Sequence, residues 1–336
     1  MTLENGEMSL EKILVTGAAG FIGSNLCSAL LEKRHAVCAV DNLSQSTTRN
    51  IERHFGSPGF EFVQEDVRNA EAIRRLAQDA GIIVHLAAFK IPRYGNALDT
   101  LTINVHGTES VLKAAKERKS RVVFASTSDV YGRNPHLPFA ETHDLYLGET
   151  NVKRWAYAVS KIMDEHYAFA YQQEYDVPVT ALRFFGGYGP GQNTTWWGGP
   201  QSVFIDSALR DQPMEIHGDG QQTRSFTYIS DHVDGILRTM FSPKAAGEIF
   251  NLGNVHEISI LDLALLVWRL AGKGEPKLKL ISYQTFGKYE DVRNRVPEIS
   301  KARNLLGFEP QVDLEEGLRK TIEWQRSVTN LGESRS

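Results

Sequence analysis

Cysteine is nearly absent from this sequence. Only Cys27 and Cys38 occur among its 336 residues, and neither has the spacing of a metal ligand. Two thiols are too few for a disulfide-stabilised scaffold. Residues 1–10 lack the basic and apolar regions of a secretory signal peptide, and we expect them to form a loose leader. The sequence therefore predicts a reduced, cytoplasmic protein without a bound metal.

Long apolar runs and an excess of basic charge are also missing. No run reaches the roughly 18 apolar residues that a membrane-spanning helix needs. Lys and Arg total 37 against 41 Asp and Glu, which leaves a net charge of −4. A nucleic-acid-binding domain normally carries a basic excess. Neither a membrane nor a nucleic acid is expected as a partner.

What is present is the composition of a folded protein. Hydrophobic residues make up 41% of the chain and charged residues 23%, which excludes a wholly disordered chain. Short apolar runs alternate with helical patterns, and this alternation predicts a parallel β-sheet covered by helices on both faces. The predicted strands are residues 13–15, 37–40, 60–63, 82–86, 121–125 and 179–183, and the predicted helices are 21–33, 70–80, 104–117 and 158–175.

The pattern changes after Gly186. Residues 188–199 are rich in Gly, Asn and Trp and predict a long loop, whereas 248–252 predict a strand that returns to the sheet. Helices are predicted at 260–270 and 315–325. We expect a Rossmann-type, doubly wound α/β sheet with a smaller mixed α/β substrate domain. Residues 11–187 and 233–254 would form the first domain, and residues 188–232 and 255–330 the second.

A glycine pattern follows the first predicted strand and opens the first helix. Gly17, Gly20 and Gly23 permit a tight turn, close approach to a pyrophosphate and close helix packing. The helix N-terminus then offers N–H groups to phosphates. Asp41, at the end of the second strand, can accept hydrogen bonds from a ribose and would repel a 2′-phosphate, which favours NAD over NADP. Asp66, at the end of the third strand, is a candidate contact for the adenine amino group.

A tyrosine and a lysine lie four residues apart near the start of a predicted helix. Tyr157 and Lys161 therefore share one helical face. The Lys161 ammonium, together with an oxidised nicotinamide, is expected to lower the pKa of the Tyr157 phenol, which then acts as a general base. Thr127, at the end of the fifth strand, offers a hydroxyl for the proton, and Ser128 and Asp129 are candidates for touching the substrate.

These segments together resemble the extended short-chain dehydrogenase/reductases, in the NAD-dependent nucleotide-sugar epimerase/dehydratase family. The resemblance covers about residues 12 to 325. It implies that bound NAD oxidises the sugar, usually at C4, and is re-oxidised within the same cycle, with Thr127 and Tyr157 handling the proton and Lys161 holding the nicotinamide ribose. It also implies a nucleotide-sugar substrate, expected to be UDP-linked, and a homodimer formed through the helices at 104–117 and 158–175.

The resemblance extends to further site residues. Arg224 and Arg295 resemble the family's diphosphate-binding arginines, in line with the bidentate binding of phosphate by guanidinium groups. The sequence lacks the family's usual Asn at Gly186, which leaves the exact sugar open. The expected substrate contacts are Lys90, Ser128, Arg224 and Arg295. The expected cofactor contacts are Gly17, Gly20, Phe21, Ile22, Gly23, Asp41, Asn42, Asp66, Val67, Leu86, Ala87, Ala88, Lys90, Asn104, Ser126, Tyr157 and Lys161.

The triplet that ends the fifth strand bears on the reaction. In this family, 4,6-dehydratases typically have Thr-Asp-Glu and sugar-acid decarboxylases Thr-Ser-Glu, whereas this chain has Thr127, Ser128 and Asp129. Asp129 is one methylene shorter than Glu, so its carboxylate is expected to reach roughly 1.5 Å less. We therefore predict a 4-epimerase. The first alternative is a UDP-glucuronate decarboxylase, because the segments at 154–157 and 289–297 resemble those of such enzymes. The second alternative is a sugar 4,6-dehydratase. The alternative that is not an enzyme is a non-catalytic NAD-binding regulator.

Overall fold

A computed structural model describes residues 12–90, 96–286 and 292–333, with side chains as far as Thr329. Its centre is a sheet of seven parallel strands. In chain order these are Lys12–Thr16 (β1), Val37–Asp41 (β2), Phe60–Gln64 (β3), Ala80–His85 (β4), Arg121–Thr127 (β5), Val179–Phe184 (β6) and, after four shorter strands, Glu248–Leu252 (β11). Their order across the sheet is β11-β6-β5-β4-β1-β2-β3. The strand order reverses beside β1. The carboxyl ends of β1, β4 and β5 lie together near this point, and open α/β sheets bind ligands there.

Helices cover both faces of this sheet, as the sequence predicts. Alternate residues of β1 point to opposite faces: Ile13 packs in one buried cluster and Leu14 in another. The first cluster includes the helices Phe21–Glu32 (α1) and Ile229–Phe241 (α6). The second includes Ala70–Leu76 (α2), Ala97–Arg118 (α3) and Trp155–Tyr175 (α4). Burial of apolar side chains on both faces is the main stabilising contribution to the sheet.

The remaining elements pack beyond the carboxyl ends of the strands. The short strands are Gly187–Tyr188 (β7), Met214–His217 (β8), Thr223–Ser225 (β9), Thr227–Tyr228 (β10), Glu257–Ser259 (β12), Leu278–Ile281 (β13) and Asn294–Arg295 (β14). The helices are Pro200–Leu209 (α5), Ile260–Leu270 (α7), Ser300–Leu306 (α8) and Leu314–Glu333 (α9). Helix α9 packs against α5 and α7, and Gln325 donates a buried hydrogen bond of 3.2 Å to the carbonyl of Ser202.

Several predicted boundaries were wrong. The second helix ends at Leu76, because Ala80 already belongs to β4. The helices predicted from 104 and 158 begin earlier, at Ala97 and Trp155, and the last helix runs on to Glu333. The sequence does not mark these ends clearly: α4 begins with the buried Trp155, which follows a polar stretch without a recognisable cap. The expected leader at 1–10 and the part of segment 289–297 before Val292 lie outside the described residues, and the division into domains stays a prediction.

Candidate active site

The turn between β1 and α1 forms a cradle of backbone. Gly17 has a φ of +70°, and a Cβ there would come within 2.7 Å of the amide nitrogen of Ala87. A Cβ on Gly23 would lie 2.1 Å from the carbonyl oxygen of Gly17. Gly20 precedes the helix, and no side chain caps the N–H groups of its first turn, which also lacks an acidic residue. The cradle fits the diphosphate of a dinucleotide, because a phosphate can approach these N–H groups closely. Phe21 and Ile22 line the cleft beside it.

Two aspartates follow the next two strands, and both have partners within the chain. Asp41 accepts hydrogen bonds from the backbone N–H of Ala19 at 3.0 Å and from the Ser46 hydroxyl at 3.0 Å. Asp66 accepts from the Arg68 guanidinium at 2.7 and 2.9 Å and from the Asn42 amide at 2.9 Å. The Arg68 hydrogen bond holds the pKa of the Asp66 carboxyl well below its usual range. Asp66 is thus available to an adenine amino group only if one of these partners moves.

The loop after β4 forms another part of the same edge. Leu86, Ala88 and Lys90 line the cleft. Asn104 of α3 lies behind the loop, where its amide bonds to both backbone groups of Phe89, accepting at 2.7 Å and donating at 3.2 Å. In this arrangement Asn104 shapes the loop instead of presenting a free amide to the cleft. Val67 and Ala87 stay among the predicted cofactor contacts, although neither is among the residues that line the cleft.

Thr127 and Tyr157 line the cleft together. Thr127 ends β5, and its hydroxyl accepts from the backbone N–H of Asp129 at 3.2 Å. Tyr157 is the third residue of α4. Burial raises the pKa of the Tyr157 phenol, and the charge of Asp129 raises it further, while a hydrogen bond with Thr127 acts in the opposite direction. The chain's own groups therefore favour the protonated form of Tyr157, and the expected lowering of its pKa by Lys161 together with an oxidised nicotinamide stays a prediction.

Lys161 has a charged partner behind the cleft. Its ammonium lies 3.0 Å from a carboxylate oxygen of Asp164, one helical turn further along α4, and the two side chains are 1% and 0% exposed. The charge of Asp164 contributes to the raised pKa of Tyr157. Ser126, another predicted cofactor contact, donates to Glu165 at 2.6 Å and is likewise buried.

A charged cluster occupies the end of β5. The Asp129 carboxylate lies 2.9 Å from the Arg295 guanidinium and 3.3 Å from that of Arg154. Arg295 also donates to the Ser128 hydroxyl at 3.4 Å. Burial alone would raise the pKa of the Asp129 carboxyl, but the charges of Arg295, Arg154 and Arg224 outweigh it and hold that pKa below its ordinary value. Asp129 is therefore ionised near neutral pH.

The opposite wall of the cleft is aromatic and polar. Trp196 stacks on His217 with ring centroids 4.2 Å apart, and Trp197 meets Phe89 edge to face at 5.5 Å. Arg224 lines this wall. Gly186 also lines it with a φ of +38°, and a Cβ there would lie 2.0 Å from the carbonyl oxygen of Ser225. A side chain at position 186 therefore has no room in this backbone conformation.

The cleft that joins these groups has a volume of about 1540 Å³. Pockets for one drug-sized ligand measure about 300–1000 Å³, so this cleft has room for two ligands side by side. It brings together the glycine turn, Thr127, Ser128, Asp129, Tyr157, Lys90, Arg224 and Arg295. Asp41, Asn42, Asp66, Asn104 and Lys161 are not among the residues that line it. Across the residues described, no group of three or more His, Cys, Asp or Glu side chains has the geometry of a metal site, and no helix is long and apolar enough to cross a membrane.

Two residues of the site escaped the sequence reasoning. Arg154 was noted only as part of a resembling segment, and Asp164 was not singled out. The spacing of Asp164 from Lys161 was a usable signal, because residues three apart on a helix are neighbours. Nothing in the sequence, however, indicated that this pair is buried or that Arg154 meets Asp129.

Comparison with known proteins gives the relatives of this chain. A decarboxylase of UDP-N-acetyl-alpha-D-glucosaminuronate from Bacillus cytotoxicus is 32% identical over 95% of this chain and 99% of its own length. UDP-glucuronic acid decarboxylase 1 from Xenopus tropicalis is 37% identical over 95% of this chain and 73% of its own length. A solved structure of a UDP-glucuronic acid 4-epimerase from Bacillus cereus, in complex with UDP-glucuronic acid and NAD, is 32% identical, covers 94% of this chain and 99% of the neighbour, and has a TM-score of 0.85.

The family model described as GDP-mannose 4,6 dehydratase matches residues 14–321. The expected resemblance to nucleotide-sugar epimerases and dehydratases is confirmed, as are the Rossmann-type sheet and, at the level of the family, NAD as the cofactor. Decarboxylases and epimerases both occur among the relatives. The comparisons therefore identify the enzyme family, and the two reactions are both represented in it. This chain belongs to the GDP-mannose 4,6-dehydratase family of NAD-dependent, extended short-chain dehydrogenase/reductase enzymes that act on nucleotide sugars.

Proposed function

We propose that this protein binds NAD and a UDP-linked hexuronic acid, oxidises the sugar at C4 and releases its C6 carboxylate as carbon dioxide. The observation that carries the proposal is the Asp129 cluster. The Asp129 carboxylate meets both Arg295 and Arg154 in the wall of the cleft. This cluster lines the same cleft as Thr127 and Tyr157, which supports a charged group beside the reacting sugar.

The charge of the cleft favours an anionic substrate. Arg154, Arg224, Arg295 and Lys90 line it together with Asp129. A UDP-hexuronic acid carries about two negative charges on its diphosphate and one on its carboxylate, and guanidinium groups bind both kinds of anion bidentately. A neutral hexose would leave part of this positive charge uncompensated in a partly buried site, which costs free energy.

The first step uses Thr127 and Tyr157. Tyr157 takes the proton of the C4 hydroxyl, and Thr127 supports the phenol oxygen through the hydrogen bond described above. Bound NAD supplies the hydride acceptor and, with its positive nicotinamide ring, the charge that favours the phenolate. Because the chain's own residues raise the pKa of Tyr157, the base becomes active in the complete complex and not in the protein alone.

The second step follows from the chemistry of the ketone. Once C4 is oxidised, the C6 carboxylate is β to a carbonyl group, and breaking the bond between C5 and C6 leaves an enolate that the protonated Tyr157 can stabilise. We assign the proton at C5 to a water molecule beside Asp129, and the hydroxide that remains takes a proton from bulk solvent. The electron pair of the broken bond passes to the enolate, and the carboxylate leaves as neutral carbon dioxide. The ketone is then reduced, and Tyr157 returns its proton to the C4 oxygen.

C4 epimerisation, the reaction that the sequence favours, is the second candidate. The likeness to a UDP-glucuronic acid 4-epimerase supports it. So does the lack of a dehydratase acid at Ser128. In this reaction the keto sugar rotates in the site, so that C4 is reduced on its opposite face. The positive groups around Asp129 stabilise the C6 carboxylate, which stays on the sugar.

The products separate these possibilities. Purified protein is incubated with UDP-glucuronic acid, UDP-N-acetylglucosaminuronic acid and the corresponding UDP-hexoses, and the products are resolved by NMR. A UDP-pentose and carbon dioxide support the proposal. A C4 epimer with its carboxylate intact supports the second candidate, and a 4-keto-6-deoxy sugar indicates a dehydratase. A Tyr157→Phe variant with unchanged turnover would contradict the role of Tyr157 in any of them, and no turnover with any sugar would favour the non-catalytic regulator.

We also propose that the protein is a cytoplasmic homodimer that associates through α3 and α4. Leu98, Val159, Met163 and Tyr175 are large hydrophobic residues of these two helices that remain exposed. Helices α3 and α4 pack against each other, so these residues lie on neighbouring elements. Burying them against a second copy would remove apolar area from water.

A further inference from the structure

A buried carboxylate lies behind the proposed base, and the mechanism above does not use it. Asp164 and Lys161 form an ion pair of 3.0 Å, and both side chains are almost wholly shielded from solvent. A carboxylate is rarely buried unless it is paired. Lys161, however, lies on the same helical face as Tyr157, where its free charge would favour the phenolate. Asp164 therefore opposes the effect usually expected from a lysine in this position.

The pair belongs to a line of polar groups that crosses the sheet. Burial raises the pKa of the Asp164 carboxyl, while the charge of Lys161 and hydrogen bonds from Lys161 and Thr108 act in the opposite direction. The Thr108 hydroxyl, on α3, lies 3.2 Å from Nε2 of His85. Nδ1 of His85 lies 2.7 Å from the hydroxyl of Thr16, the residue before the glycine turn. Burial and the charge of Lys161 lower the pKa of His85 to about 3, so its ring is neutral. Lys161 is thus held by neutral groups and by one carboxylate.

We propose that Asp164 is a positioning residue that holds the Lys161 ammonium in place and cancels its charge, so that Tyr157 stays protonated until the cationic cofactor and the substrate are bound. One of the three ammonium protons faces Asp164, which leaves two for a ribose. The charge of Asp164 opposes that of Lys161 and itself contributes to the raised pKa of the Tyr157 phenol. The inference uses the proposed function only in taking Tyr157 as the base.

Other charges also act on Tyr157. Besides burial and Asp164, Asp129 raises its pKa and Arg295 lowers it, and the latter two residues line the cleft. The groups that face the pair from the surrounding elements are His85 of β4, Thr108 of α3, Glu165 of α4 and Arg183 of β6. Glu165 is compensated by Arg183 at 2.7 Å. Asp164 is the carboxylate in this group that pairs with Lys161.

The test is the ionisation of Tyr157 in Asp164→Asn. The phenolate absorbance of the purified variant is measured against pH, and that of Asp164→Asn combined with Tyr157→Phe is subtracted. The same subtraction is made for the wild-type protein. We expect the Tyr157 signal of the variant to begin at least about one pH unit lower, because an uncompensated ammonium nearby favours the phenolate. In an active enzyme, the acidic limb of the kcat/KM profile moves in the same direction.

Glu165→Gln is the matched control. It also replaces a buried carboxylate on α4 by an amide and breaks an ion pair, but its partner is Arg183. A merely structural effect would move both variants alike, whereas the proposal requires the shift in Asp164→Asn alone. An unchanged or upward shift in Asp164→Asn overturns the proposal. Since the absorbance is measured without substrate, this outcome is distinct from a failure of the proposed function.

A double variant covers the case in which Asp164→Asn does not fold. Lys161→Met with Asp164→Leu removes both charges and keeps the site apolar. If the pair is neutral, the Tyr157 ionisation of this double variant matches that of the wild type. A shift of about one unit or more to higher pH in the double variant would mean that Lys161 acts on Tyr157 uncompensated, and the proposal would fail.

Discussion

Replacing Asp129 by Asn tests the proposed decarboxylation most directly. The amide keeps the size of the side chain but removes the charge that holds Arg295 at 2.9 Å and Arg154 at 3.3 Å. Hydrogen bonds to charged groups contribute about 1.5–3 kcal/mol each, and the amide oxygen can still accept one of them. We therefore expect a loss of about 2–3 kcal/mol in the free energy of unfolding, measured with urea near pH 7.

The same change should reduce the release of carbon dioxide at least about 100-fold, the usual contribution of a positioned proton-transfer group. Oxidation at C4 depends on Tyr157, so it continues, and reduced cofactor should accumulate during a single turnover. The assay follows labelled carbon dioxide and cofactor absorbance in the same sample.

Asp129→Glu is the control, because it keeps the charge and lengthens the side chain. It should retain carbon dioxide release. Release by Asp129→Asn at the rate of the wild type would refute the role of this carboxylate, whatever the effect on stability.

Three further predictions concern the cradle, the buried histidines and the dimer. Gly23→Ala should weaken NAD binding at least tenfold in calorimetry, because its Cβ would lie 2.1 Å from the carbonyl oxygen of Gly17 and force the turn apart; unchanged affinity would contradict the cradle. Burial lowers the pKa of His85 to about 3 and of His232 to about 4, below the unfolded value of about 6.5. The unfolded chain therefore binds more protons, so stability should be complete above about pH 6.5 and fall as the pH drops towards 4; a flat profile in urea titrations would argue against neutral buried rings. Met163→Lys, at an exposed position of α4, should shift the mass seen by light scattering from dimer to monomer, and a wild-type monomer at micromolar concentration would exclude the dimer.

The sheet was predictable because its signal is local. Residues such as Ile13 and Val37 are β-branched, lie in short apolar runs and are bounded by turn residues, so each strand is visible by itself. The third strand was also predicted as a buried run, but it lies at the edge of the sheet, where Glu61 and Gln64 are exposed. An edge position depends on strand order, which no single strand encodes.

The residues of the candidate site also differ in whether a local signal in the sequence predicts them. Gly17 and Tyr157 belong to motifs of fixed spacing, and the structure places both at the cleft. The electrostatics of the site depend on residues far apart in sequence: Arg295 meets Asp129 across 166 positions and comes from the strand β14. Even the local pair of Lys161 and Asp164 was not interpretable without burial, because the same spacing on a solvated helix face has little effect on a neighbouring phenol.

The last helix has a consequence for the order in which the protein becomes functional. Trp324 of α9 lines the cleft, and Gln325 fastens the helix to α5. The glycine turn and strands β1 to β5 come before residue 130, and Tyr157 and Lys161 follow by residue 161, whereas Trp324 is made more than 160 residues later. During translation, the nascent chain can acquire its dinucleotide pocket long before it has a place for a sugar. A release assay with stalled ribosomes would then find the coenzyme retained on chains that still lack α9.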